Sequence, residues 1–386
     1  MNELELHDVT ADDLDDLMDV RSRSFGNMTG DRHEWRRTAL EFAAAGRYLG
    51  AYDGQRLVAA ARIWDFGQWW HGRRVPMAGI ASVVVAPEYR GSGTASLLMR
   101  AVMERSRSLG FPLTALYPAT VAFYRKLGYE YAGARHRYTF DAAGLRSLGH
   151  GNEVAIRRGG PGDAAKLLEL VARVRTDGRE SGPLVWPVER VQEWLAKEET
   201  FCYLADDGFV VYGWHGRELR VDEHVAASGE TARALWATVG SGASIAKQVE
   251  AHLSPDDPVH LLVPAEASHE TYVERWMLRL LDAPAAIAAR GWAPGVDADI
   301  PLTIEDAEIS ANSGTWQLQV KGGEGSLTPA ASGGLVLTSR GLAALYAGTP
   351  VASLRIAGIA SGGSPTEDGL LDTVFAGSTA FLLDYF

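Results

Sequence analysis

The chain has 386 residues, with 37 Lys or Arg against 49 Asp or Glu and a formal net charge of −12. At roughly 100–200 residues per domain, this length predicts two or three domains. The acidic balance argues against a nucleic-acid surface, which needs clustered cations, and it suits a cationic ligand or plain solubility.

The longest apolar runs fall far short of the roughly 20 residues that span a bilayer, so no membrane partner is expected. The opening MNELELHDVT has no secretory leader pattern, and a cytoplasmic protein is expected. A single cysteine, Cys202, excludes an intrachain disulfide and a thiolate zinc cluster. The spacings HExxH, GxSxG and GxxxxGK(S/T) are all absent, and no resident metal is expected.

In chain order, ELHDVTADDLDDLMDV reads as a short strand and an acidic helix opening, with Thr10 or Asp12 as its N-cap. From Arg47 the pattern turns to period two, and Asp53-Gly54 marks a hairpin between strand-rich flanks. The run RRVPMAGIASVVVAP is a long strand ending at Pro87. Residues 93–110 then form an amphipathic helix, with Leu97, Leu98, Ala101 and Val102 on one face and Gly110 as its stop. FPLTALYP, ATVAFYRKLG and YEYAGARHRYTF add strand, helix and strand, which completes a mixed α/β unit over 1–150. The same order of elements returns over 151–285 in degenerate form. Residues 286–386 differ, being rich in Gly, Ala and Ser, with an α+β pattern and an apolar tail, TAFLLDYF.

The stretch ASVVVAPEYRGSGTASLLMR carries the chemistry. It is a strand, a turn of Arg90, Gly91, Ser92 and Gly93, then a helix. Glycines let backbone N–H groups approach a ligand, and the helix start adds partial positive charge, so the turn can cradle a pyrophosphate. The bland alternative is a tight strand–helix turn with a solvated arginine. Ser96 stands where a dinucleotide fingerprint needs its third glycine, which argues against that class.

Arg90, Gly93 and Ala95, after Val83, Val85, Pro87 and Tyr89, resemble the R/Q-x-x-G-x-G/A loop of the GNAT superfamily of N-acetyltransferases. The resemblance implies acetyl-CoA as cofactor. It implies that Arg90, Gly91, Ser92, Gly93, Thr94 and Ala95 hold its pyrophosphate, and that the backbone of Val83, Val84 and Val85 holds its acyl and pantetheine arm. FYRKLGYE matches the family's second anchor, which makes Tyr124 the general acid on the CoA sulfur; the alternative is an aromatic core residue. A phenol near pKa 10 and a thiol near 8.5 differ by roughly 1.5 units, about 2 kcal/mol, which a positioned phenol can meet.

Two such units followed by a domain like a sterol carrier protein resemble the Eis (enhanced intracellular survival) acetyltransferases over the whole chain. Trp35, the run DAPAAIAARGW and the aromatic terminus are further landmarks. The resemblance implies that the carboxylate of Phe386 enters the first unit as the base, that the acceptor is an aminoglycoside or other polyamine, and that the chain forms hexamers built from trimers. Phe25, Trp35, Trp64 and Asp384 are the expected acceptor contacts, with Trp69 and Trp70 as further aromatic candidates. Two departures stand out. The turn AASGETARALW of the second unit lacks the arginine and second glycine, so no second CoA site is expected there. Ser24-Phe25 is followed by neutral Gly26 and Asn27, where aminoglycoside-acetylating members carry an acid. Lysine peptides and arylalkylamines are therefore alternative acceptors, and a lipid carrier or scaffold with vestigial acetyltransferase units is the alternative of another class.

Overall fold

In the computed structural model, which describes residues 4–26, 31–151, 153–264 and 267–386, the hydrophobic patterns sort into two sheets. Strands β1 (Glu5–Asp8), β2 (Tyr48–Asp53), β3 (Arg56–Trp70) and β4 (Arg73–Val85) form an antiparallel meander. The helices α1 (Leu14–Phe25) and α2 (Arg32–Ala44) lie between β1 and β2 in sequence. Helix α3 (Thr94–Ser108) leads into β5 (Leu113–Leu116), and the short α4 (Val121–Lys126) precedes β6 (Glu130–Asp141). Neither Thr10 nor Asp12 caps α1. Thr10 instead donates from its N–H and hydroxyl to the Asp13 carboxylate, at 2.6 and 2.8 Å, which closes a turn before the helix starts at Leu14. Helix α3 buries Leu98 and Val102, whereas Leu97 is exposed at the stripe's edge.

The second unit repeats this grammar. After α5 (Ala142–Ser147) come β7 (Arg157–Gly159), α6 (Ala164–Asp177), β8 (Leu184–Val185), α7 (Val188–Leu195) and β9 (Thr200–Ala205). The hairpin β10 (Gly208–His215) and β11 (Glu218–Ala226) is followed by α8 (Gly229–Gly240), β12 (Gln248–Leu253), α9 (Val259–Leu262) and β13 (Ser268–Leu280). The two units are not two separate sheets. They share one sheet of 13 strands whose order runs β1-β2-β3-β4-β5-β13-β6-β12-β11-β10-β9-β7, with β8 on β3. Each unit lends its last strand to the other: β13 lies antiparallel between β5 and β6, and β6 lies between β13 and β12. Hydrophobicity drives this exchange. Trp276, Met277, Leu278 and Leu280 of β13 are fully buried, which an edge strand could not achieve.

The third region holds α10 (Ala283–Ala289) and a five-stranded sheet of β14 (Ala298–Glu305), β15 (Gly314–Lys321), β16 (Glu324–Pro329), β17 (Leu335–Thr338) and β18 (Ala360–Gly362). Helices α11 (Ser339–Tyr346), α12 (Val351–Ile356) and α13 (Pro365–Phe375) cover it. Beyond α13 the tail leaves this domain and returns to the large sheet. Phe381 N–H donates to the Ser181 carbonyl and Leu382 N–H to the Ala134 carbonyl, both at 3.1 Å. Close approach needs glycine on both sides. A Cβ on Gly133 or Gly182 would stand 2.1 or 2.0 Å from tail carbonyl oxygens.

Candidate active site

The opening that could take a ligand is set by strand register. Strand β4 pairs with β5 only through Met77–Gly79 and then stays with β3 to Val85, so β4 and β5 part beyond Gly79. There β4 also bulges. Ala60 faces Val84 and Arg62 faces Ala81, which leaves Ser82 and Val83 opposite Ala61 alone. Ser82 takes a left-handed φ of 52°, a conformation that costs about 1–2 kcal/mol away from glycine. The bulge breaks the alternation at Ser82 and Val83, after which Val84 and Val85 return to register with Ala60 and Ala59 along the edge of the opening. Val84 is buried, while Val83 and Val85 are half-buried. Sequence reasoning missed Ser82, because an ordinary serine gives no local signal of a bulge.

The turn after β4 is built to leave donors free. Gly91 and Gly93 have φ of 76° and 92°, and a Cβ on either would meet nothing within 4 Å. Backbone conformation, not crowding, therefore requires glycine here. Gly93 is the N-cap of α3 and offers no side chain to its first-turn N–H groups. The Ser92 hydroxyl donates to the Tyr89 carbonyl at 2.6 Å and bonds the Thr94 hydroxyl at 2.9 Å. Tyr89 donates to Asp53 at 2.6 Å, and Arg56 bonds Glu88 at 2.8 Å, which pins the turn to the β2–β3 hairpin. Exposed Arg90 donates to the Val85 carbonyl at 3.2 Å and reaches Ser24 at 3.5 Å. Uncapped N–H groups, a helix dipole and one guanidinium make a donor set that fits the diphosphate of CoA. Ala95, in the first turn, is small and half-buried.

Tyr124 sits on α4, buried between Phe123 and Tyr129, whose rings lie 4.9 and 5.9 Å away. Burial pushes its phenol up to about 12. Charges from other parts of the fold anchor this helix. Glu130 accepts from Arg125 on α4 at 2.7 Å and from Arg340 of the third domain at 2.5 Å. Buried Arg279 of β13 donates to the Leu127 carbonyl at 3.1 Å and to both oxygens of Asp306 at 2.6 Å.

The tail brings Phe386 to the point where β4 and β5 part. Its ring lies 5.2 Å from Phe66 and 5.5 Å from Tyr117, and a Cβ on Gly79 would stand 3.0 Å from it. Tyr117, a second residue missed in sequence, donates to the Asp384 carbonyl at 2.7 Å and stacks on Tyr385 at 4.7 Å. Only the folded tail gives Tyr117 this partner. Arg135 donates to the Leu383 carbonyl at 2.9 Å. The Asp384 carboxyl turns inward to Trp186, and burial pushes its pKa upward.

The expected acceptor contacts are dispersed. Half-buried Trp64 stacks on Phe66 at 5.4 Å, and Trp186 meets the same Phe66 edge-on at 5.2 Å, which makes an aromatic wall beside Phe386. Trp35 is half-buried against the core of the first unit. Phe25 ends α1 and is 56% exposed, with Gly26 as the C-cap; Asn27 lies outside the described residues. Trp69 and Trp70 are core instead. Trp70 packs edge-on against Trp276 and Tyr346, so period-two alternation in β3 directs it between domains.

The second unit keeps the strand pattern but closes the helix end. Ser228 caps α8 by accepting from Thr231 N–H at 3.2 Å, and the Thr231 hydroxyl donates to Asp207. No group of three or more His, Cys, Asp or Glu that could hold a metal occurs among the described residues. None of their helices is long and apolar enough to cross a membrane.

Comparisons with known proteins identify the family and its domains. Residues 5–132 match an acetyltransferase (GNAT) domain family, residues 182–280 a second one, and residues 283–383 a sterol carrier protein domain. The chain is similar to a GCN5-related N-acetyltransferase of Kribbella flavida, at 60% identity and a TM-score of 0.95, covering 100% of this chain and 98% of that one. It is similar to one from Anabaena variabilis, at 26% identity and a TM-score of 0.88 over the whole of both chains. Among curated proteins, N-acetyltransferase Eis of Mycobacterium tuberculosis is 27% identical over 370 residues, 89% of each chain.

Proposed function

The chain belongs to the GCN5-related N-acetyltransferase family, in the three-domain arrangement of its Eis relatives, and on that premise we propose that it acetylates a primary amine of an aminoglycoside or another polyamine. Acetyl-CoA is the family's donor, and when bound it would supply the acetyl group as a thioester. Backbone groups of Val83, Val84 and Val85 at the bulge hold the acyl arm, and the turn from Arg90 to Ala95 holds the diphosphate.

Tyr124 supplies a proton at the departing sulfur. A phenol pushed up to about 12 stands roughly 3.5 units above a free thiol, about 5 kcal/mol, so the proton is shared as the C–S bond breaks instead of being lost beforehand. The carboxylate of Phe386 takes the proton from the amine nitrogen. Reference values set a carboxylate near 3.5 and an alkyl ammonium near 10.4, a gap of roughly 7 units or about 9 kcal/mol. Desolvation narrows it by raising the acid and lowering the amine. The surroundings of Phe386 are aromatic, with Phe66 and Tyr117 against its ring. The amine therefore binds in its neutral form, its first proton left to solvent, and the carboxylate orients it and accepts the second proton once attack has acidified the nitrogen.

The observation that carries this reading is the packing of Phe386 onto Gly79, where β4 leaves β5. The wall of Trp64, Phe66 and Trp186, together with neutral Gly26, favours a second reading in which the acceptor is an arylalkylamine. In both readings Trp64, on the aromatic wall beside Phe386, is the contact with the acceptor. A panel of aminoglycosides, linear polyamines, arylalkylamines and lysine peptides, read by acetyl-dependent thiol release, separates them. Polyamine turnover at least tenfold above the arylalkylamines supports the first reading, and the reverse order supports the second. Release no faster with any amine than without one contradicts both.

A further inference from the structure

The second unit also opens between its strands. Strand β11 pairs with β12 only through Leu219–Val221 and then continues to Ala226, as β4 does beyond β5. It bulges at the same stage. Val211 faces Glu223 and Tyr212 faces Val221, which leaves Asp222 as the extra residue, the counterpart of Ser82. A cavity of about 240 Å³ lies at this opening, lined by His224 of β11 and His252 of β12. Its outer wall includes Phe381 and Leu383 of the tail that ends at Phe386.

The lining has a definite chemistry. Glu180, Asp256 and Asp257 face it, with Arg175 as the one lining cation among the described residues. Arg175 is already paired with Glu180 and lies 3.6 Å from Glu223. Asp256 accepts only from the Thr379 N–H, at 3.2 Å, and Asp257 from the Val259 N–H, at 2.9 Å, among the bonds of the described residues. Both histidines are neutral, because burial pushes them down to about 4 and 3. Two polar atoms are orphaned. Arg175 is only 6% exposed, yet its Nε–H has no acceptor among the described residues. His224 Nε2 has no partner there either. In the tautomer that carries its proton on Nδ1, this nitrogen presents a lone pair, which takes an N–H donor opposite it.

We propose that this cavity is a second binding site, for a compact organic ammonium ion whose N–H meets His224 Nε2 and whose charge is balanced by Asp256 and Asp257. An anion would face the carboxylates. The space, about 240 Å³, admits a compact molecule of a few heavy atoms. Acetyl transfer in the first unit does not enter the argument, so this site can fail while that reading stands.

The test uses the full chain and 2-(dimethylamino)ethanol, a tertiary ammonium that forms no stable acetamide, with 3-methylbutan-1-ol as its neutral isostere. Asp256→Asn with Asp257→Asn keeps the oxygens that accept the backbone N–H groups and removes both charges. Calorimetry is expected to show the ammonium binding the wild-type chain and the double variant at least tenfold more weakly, with no binding of the isostere. Equal affinity for wild type and variant, binding of the isostere at equal strength, or no binding to wild type overturns the site. Should the variant unfold, a crystal of the wild-type chain soaked in the ammonium decides. Density between His224 and Asp257 supports the proposal, and density confined elsewhere, or none, overturns it.

Discussion

At the residue scale, the site rests on a few conformations that tolerate little change. Gly93 at φ 92° is left-handed with open space beside it. Gly93→Ala is expected to cost about 1–2 kcal/mol of stability, and its methyl group would intrude where the diphosphate is held. The Michaelis constant for acetyl-CoA should rise at least tenfold with turnover at saturation little changed, as steady-state thiol release would record. Tyr124→Phe should do the opposite, lowering turnover by about 10²–10⁴-fold, the usual worth of a general acid, while calorimetry shows unchanged CoA affinity. Its pH behaviour follows from sign. Burial raises the phenol from 10 to about 12, so the group stays protonated through pH 10 and contributes no falling limb to turnover between pH 7 and 10. A limb near pH 9 that vanishes in Tyr124→Phe would show that the phenol ionises far more easily. Arg90, Gly93 and Tyr124 were legible because each sits in a contiguous pattern whose chemistry is local. Ser82 and Tyr117 were not, since one owes its role to a register slip against β3 and the other to a tail more than 250 residues away in sequence.

Among the elements, the strands and helices of both units could be read from periodicity, including the Asp53-Gly54 hairpin and the helix after Gly93. Their order in the sheet could not. Nothing local in YEYAGARHRYTF or in Ser268–Leu280 announces that each pairs with the other unit, because strand exchange depends on which apolar face finds cover. The exchange places Arg279 of β13 beneath α4, where it holds the Leu127 carbonyl and pairs with buried Asp306. Arg279→Met would leave the Asp306 charge buried and unpaired, at a cost of about 3–5 kcal/mol. Urea denaturation should report that loss as a lower midpoint. A midpoint unchanged from wild type would mean that Asp306 is neutralised or rehydrated in the variant.

For the whole molecule, length and charge take on a specific meaning. The third domain carries the chain back across the large sheet, and its tail is threaded past Gly133 and Gly182 to reach the first unit. The acidic balance of −12 suits an enzyme that gathers ammonium substrates, while Arg90 provides a local cation for phosphates. The account therefore stands on the tail completing the cleft of the first unit. Its most direct test is to add three residues beyond Phe386 and compare thiol release with the amine that performs best on the unextended chain. The extended protein should keep its melting temperature and its acetyl-CoA affinity but lose at least 100-fold in turnover. Full turnover by a chain whose Phe386 no longer bears a free carboxylate would contradict the account.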